Sequence, residues 1–114
     1  MVRTKENQTV NNACLKGGIG ETEIRNIVNS ADELYGKGRL FGHTLLAPGN
    51  SIGDHMHDGD NEIYYILKGT GTYNDNGTPV NVKAGDTTIC SSGEVHGIVN
   101  NGDDVLEMIA LILY

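Results

Sequence analysis

Apolar residues in this chain come in short runs, broken about every eight to twelve positions by glycine, asparagine or aspartate. That spacing is typical of short antiparallel strands rather than helices, so an all-β fold is predicted. The clearest hairpin joins Gly71–Asn74 through Asp75-Asn76-Gly77 to Thr78–Val82, since Asn-Gly supplies the positive φ of a tight turn. Glu62–Leu67 is rich in β-branched and aromatic residues and reads as a strand. In Arg39–Leu46, placing Leu46 in the core sends Leu40, Gly42 and Thr44 inward by period two, and Arg39 and His43 outward. Val105–Tyr114, after the turn at Asn100–Asp104, is almost continuously apolar. It is expected to be buried on both faces or covered by a partner subunit.

The first third of the chain carries weaker signals. Thr22–Val28 reads as an edge strand, and Ser30-Ala31-Asp32-Glu33 has the form of a capping box ahead of Gly36, which predicts one short helical turn. Gly17-Gly18-Ile19-Gly20 lacks the flanking elements and the Lys-Ser/Thr of a phosphate loop and reads as a bend. Residues 1 to 12 are polar and are expected to be disordered or to pair with a neighbouring subunit.

At 114 residues the chain has the length of one domain. The net charge of −7, without a Lys/Arg cluster, argues against nucleic acid or an anionic membrane surface as partner and leaves a small molecule. No apolar run has the length of a membrane span, and Met1–Asn7 lacks the apolar stretch of a signal peptide, so a cytoplasmic location is expected. Cys14 and Cys90 are too few for a disulfide scaffold and read as reduced thiols, Cys90 as a small buried residue.

Candidate chemistry concentrates in two glycine-punctuated segments. In the first, His55 and His57 alternate on one strand face and can address one ion together. Asp58-Gly59-Asp60-Asn61 is turn chemistry that returns the chain so that Glu62 approaches them. The second segment carries His96 between Gly85 and Asn100. Three imidazoles and a carboxylate suit Mn, Fe, Ni or Zn as a divalent ion and disfavour Ca or Mg. Tyr64, two residues beyond Glu62, should face the same pocket as a candidate catalytic donor or as packing.

The string Gly49…His55-Met56-His57…Glu62…Gly69, followed by Gly85…Ser91-Ser92-Gly93…His96…Asn100, resembles the two halves of the cupin motif. It departs at Ser91, where proline is common. The resemblance covers roughly residues 35 to 114 and points to the small single-domain bacterial cupins of the cupin 2 type. It implies a double-stranded β-helix, or jelly-roll, barrel over 35–114 with at most one or two short helices, preceded by an arm over 1–34. It also implies that one divalent metal is held by His55, His57, Glu62 and His96, with His96 arriving from a distant strand, and that two barrels pair as a homodimer. The family spans dioxygenases, oxalate decarboxylases, isomerases, epimerases and non-catalytic binding proteins, so fold alone does not select an activity. The expected function is metal-dependent chemistry on a small oxygen-rich chelating acid, sugar acid or keto acid, with metal-assisted binding as the alternative. Oxalate decarboxylases place an arginine in the pocket, and the outward parity of Arg39 weighs against oxalate.

Overall fold

The computed structural model describes residues 1–114 as ten strands and two short 3-10 turns. The strands are β1 (Val10–Ala13), β2 (Thr22–Asn26), β3 (Gly38–Leu46), β4 (Ser51–Met56), β5 (Asn61–Lys68), β6 (Thr70–Asp75), β7 (Thr78–Lys83), β8 (Thr87–Cys90), β9 (Val95–Val99) and β10 (Leu106–Leu113). They form two antiparallel sheets, a six-stranded one ordered β1-β2-β3-β10-β5-β8 and a four-stranded one ordered β4-β9-β6-β7. This is the predicted all-β sandwich of jelly-roll type. The core lies between the sheets, where Leu46, Ile66, Leu106 and Met108 of one face Ile52, Tyr73, Val82 and Ile98 of the other. The Asn76-Gly77 hairpin forms as predicted, with φ of 50° and 98° at those residues.

Several expectations are corrected. The last strand is not buried on both faces: Leu106, Met108, Ala110 and Ile112 are buried, whereas Glu107, Ile109, Leu111 and Leu113 are only partly so. β10 lies centrally between β3 and β5, so only its inward face meets the second sheet. Thr22–Asn26 is not an edge strand, because β1 pairs outside it, Val10 opposite Arg25 through Ala13 opposite Thr22. That pairing also places Val10–Ala13 in its own chain's sheet rather than in disorder or on a neighbour. The capping box does not close. The Ser30 side chain makes no cap bond, and Glu33 instead takes the Asn29 N–H and the Arg3 guanidinium, 2.8 Å from Nη2. The turn at Ala31–Leu34 nevertheless ends at left-handed Tyr35 and Gly36, where a stop was expected.

The arm is seated on β4 by close backbone contact. A Cβ on Gly53 would lie 2.0 Å from the Lys16 carbonyl oxygen, and one on Gly18 2.1 Å from that of Ser51. Neither neighbour is a flexible side chain, so added bulk must move backbone. Gly53→Ala is therefore expected to destabilise the protein by roughly 1–3 kcal/mol, read as a lower midpoint in urea unfolding at unchanged m-value.

Candidate metal centre

Two strand irregularities aim the functional side chains. Ile52 pairs with Ile98 but His55 with His96, so β4 holds one residue more than β9 between these rungs. Without that bulge, period two from buried Ile52 would turn His55 outward; the extra residue sends it inward, directly opposite His96. His57 follows the end of β4 and is fixed across the site, its N–H donating to Glu94 O (3.1 Å) and its C=O accepting from Gly93 N. The turn beyond it passes through Gly59 at φ 79° and is tied to the second segment where Gly59 N donates to Ser92 Oγ and Ser92 N to Asn61 Oδ1. Glu62 and Tyr64 then enter on β5 of the opposite sheet. Residues far apart in sequence thus meet at one end of the sandwich.

The convergence is close. Nε2 of His96 lies 3.1 Å from Nε2 of His55 and 3.1 Å from Nε2 of His57. Glu62 Oε1 is 3.0 Å from His96 Nε2, 3.2 Å from His57 Nε2 and 3.9 Å from His55 Nε2. The opposite ring nitrogens are all engaged: His55 Nδ1 with Gly53 O at 2.7 Å, His57 Nδ1 with Asp60 Oδ1 at 2.8 Å, and His96 Nδ1 with the Tyr73 hydroxyl at 2.8 Å. With protons held on the Nδ1 atoms, the three Nε2 lone pairs face one another and a carboxylate, an arrangement that a cation at their centre would relieve. His55, His57, Glu62 and His96 form a buried group able to hold a metal ion. Nitrogen and oxygen donors without thiolate fit a divalent transition metal.

Burial alone would push the Glu62 carboxyl up, but its contacts with His55 and His96 and the charge of the imidazoles outweigh this and hold it down to about 2. Glu62 in turn raises His55, partly opposed by burial and by the Lys16 ammonium. Tyr64 is fully buried, stacks on His96 with ring centroids 5.1 Å apart, and is pushed well up by burial and by Glu62, so it remains a neutral hydroxyl. Burial likewise raises Tyr73 to about 12 and Cys90 to about 11, leaving Cys90 an uncharged thiol in the wall beside Glu62.

Arg39 overturns the parity argument. Leu40 pairs with Ile112 but Gly38 with Leu113, so Arg39 is the extra residue of a bulge, released from the strand's alternation. Its guanidinium lies 3.1 Å from Asp60 Oδ2, and it lines a cavity of about 500 Å³ with His55, His57, Glu62 and Tyr64. His43, as predicted, faces away, its Nε2 2.9 Å from Glu107 Oε1. Sequence reasoning missed Tyr73, Asp60 and Lys16. For Asp60 a signal existed, a carboxylate three residues past a candidate ligand within a turn. For Tyr73 there was none, because its reach to His96 depends on β6 packing beside β9.

The chain is 42% identical over 113 residues to a Thermotoga maritima protein named oxalate-binding protein, across 99% of this chain and 93% of that one. Its fold matches the crystal structure of a predicted oxalate decarboxylase from Thermotoga maritima with a TM-score of 0.92 at 42% identity, over 99% and 98% of the two chains. The polyketide cyclase RemF of Streptomyces resistomycificus shares the fold, with a TM-score of 0.75 at 21% identity, over 99% of this chain and 78% of that one. The family model described as the cupin domain matches residues 42–112, which include all four residues of the metal-capable group. The chain therefore belongs to the cupin domain family.

Proposed function

We propose that this cupin binds a divalent transition metal through His55, His57, Glu62 and His96, and with it a small chelating carboxylic acid of the oxalate type. The observation that carries this reading is the convergence of three Nε2 atoms and Glu62 Oε1 with every Nδ1 already engaged. A divalent ion held by neutral imidazoles and one carboxylate keeps a net positive charge, which attracts an anion locally despite the overall charge of −7. Arg39 supplies the cationic fork whose supposed absence weighed against oxalate. Its Nε and Nη2 hold Asp60 Oδ2, leaving further donors for a ligand carboxylate. The name of the 42% identical relative, oxalate-binding protein, supports the same ligand class.

Arg39→Gln tests it. Oxalate affinity should fall roughly ten- to hundredfold, the worth of a hydrogen bond to a charged group, with metal content unchanged. Unaltered affinity would remove Arg39 from the site.

Tyr64 favours a second, catalytic reading. A neutral hydroxyl beside Glu62 and against His96 supports a role in orienting a bound acid by a hydrogen bond, and a bound metal would act as a Lewis acid on the ligand's oxygens. Conversion of oxalate or a 2-oxo acid by the metal-loaded protein, with or without air, decides between this and binding alone.

The chain is further proposed to form a homodimer through the outer face of the six-stranded sheet, where Tyr65, Leu67 and Ile89 are exposed beside half-buried Ile109 and Leu111. Sedimentation at micromolar concentration should give twice the 12.2 kDa chain mass; a purely monomeric species would exclude it.

A further inference from the structure

The cavity beside the metal group is larger than a two-carbon diacid needs. At about 500 Å³ it falls within the range of roughly 300–1,000 Å³ that houses drug-sized ligands. Its extra space has a definite origin. The six-stranded sheet is wider than the four-stranded one, and β1 and β2 continue past β3 to form a further wall. That wall comes from the arm, outside the 42–112 segment that the family model matches, and it presents Asn11, Ile24 and Asn26 to the cavity, with Lys16 at its margin. Between this wall and the metal group the lining is apolar, formed by Leu40, Ile52, Ala110 and Ile112.

One polar atom in that apolar stretch has no partner. Thr44, 2% exposed and part of the cavity lining, makes no hydrogen bond through its Oγ1. A buried hydroxyl without a partner is costly, and valine would fill the same space without that cost. Thr22 and Thr88 hold unpaired hydroxyls of the same kind away from this cavity, so Thr44 marks it only together with the lining; turned about Cα–Cβ, its hydroxyl would find its partner in a ligand lying along the cavity.

We infer that the arm builds a second subsite, and that the ligand is a chelating acid with a tail of several carbons. Its head binds at the metal group, its apolar middle lies along Leu40, Ile52 and Ile112, and Thr44 and Asn11 hydrogen-bond polar atoms farther out. This rests on the reading of the metal group as a carboxylate site and names the class of acid which that site takes.

Calorimetric titration of the manganese-loaded protein with oxalate, pyruvate and 2-oxoadipate tests it, because the last two share a head and differ in tail. 2-Oxoadipate should bind about tenfold or more tightly than pyruvate, given the area its methylenes bury. Thr44→Val should narrow that advantage several-fold, by the hydrogen bond lost to the polar end of the tail and not by its methylenes, while raising the melting temperature of the ligand-free protein. Asn11→Ala, on an exposed edge strand, gives the same readout if the core substitution does not fold. Equal affinity for the two 2-oxo acids, or equal losses for both in the variants, would overturn the subsite while leaving the metal site standing. Failure of all three acids to bind would overturn both.

Discussion

His57→Ala is expected to leave the protein folded but with metal affinity reduced by more than about a hundredfold. Loss of a residue that merely orients a ligand costs roughly 10–100-fold, and His57 contributes a donor itself. The substitution removes one converging Nε2 and frees Asp60, whose Oδ1 holds that ring at 2.8 Å. His43→Ala is the matched control, since His43 lies on the outer sheet face against Glu107 and should keep its metal. Elemental analysis of both proteins after identical loading checks the pair. Retention of metal by His57→Ala would contradict the ligand assignment.

Stripping the metal is expected to have the second large effect. A ligand that binds only the folded state stabilises it by about 4 kcal/mol at a thousandfold excess over its Kd. In a small domain each kcal/mol moves the midpoint by roughly 4–8 °C. A chelator should therefore lower the melting temperature by more than about 10 °C relative to metal-saturated protein, and an unchanged midpoint would count against the site. Acid should release the metal by a predictable route. Glu62, held down to about 2, stays ionised through mild acid, whereas Glu62 holds His55 above its ordinary value. Metal binding requires the neutral imidazole, so affinity should fall as pH drops through that raised value.

What the sequence disclosed and what it hid have distinct physical causes. His55, His57 and Glu62 were legible because alternation on a strand and a turn-forming stretch are local properties of the chain, whereas His96, on β9, was reached only through the resemblance to the cupin motif. The hairpin at Asn76-Gly77 was legible for the same reason. Arg39 was misread because period two holds only while the ladder is regular, and the bulge between Gly38 and Leu40 depends on register against β10. A similar bulge before His55 did no harm to the reading, since the motif spacing already contained it. Tyr73 and the arm's wall were out of reach because each acts through neighbours set by sheet order rather than by nearby residues. The near-continuous apolarity of Val105–Tyr114 misled in its turn. It reflects a core on one face and a broad apolar outer surface on the other, which period-two analysis cannot tell from burial on both.

Acid binding at this site should be coupled to the metal. Titrating oxalate by calorimetry into metal-loaded and chelator-stripped protein measures that coupling directly. The geometry of His55, His57, Glu62 and His96 predicts binding to the loaded form and none to the stripped form. Equal affinity in the two forms would mean that Arg39 and the cavity walls hold the acid without a metal, and would contradict the account.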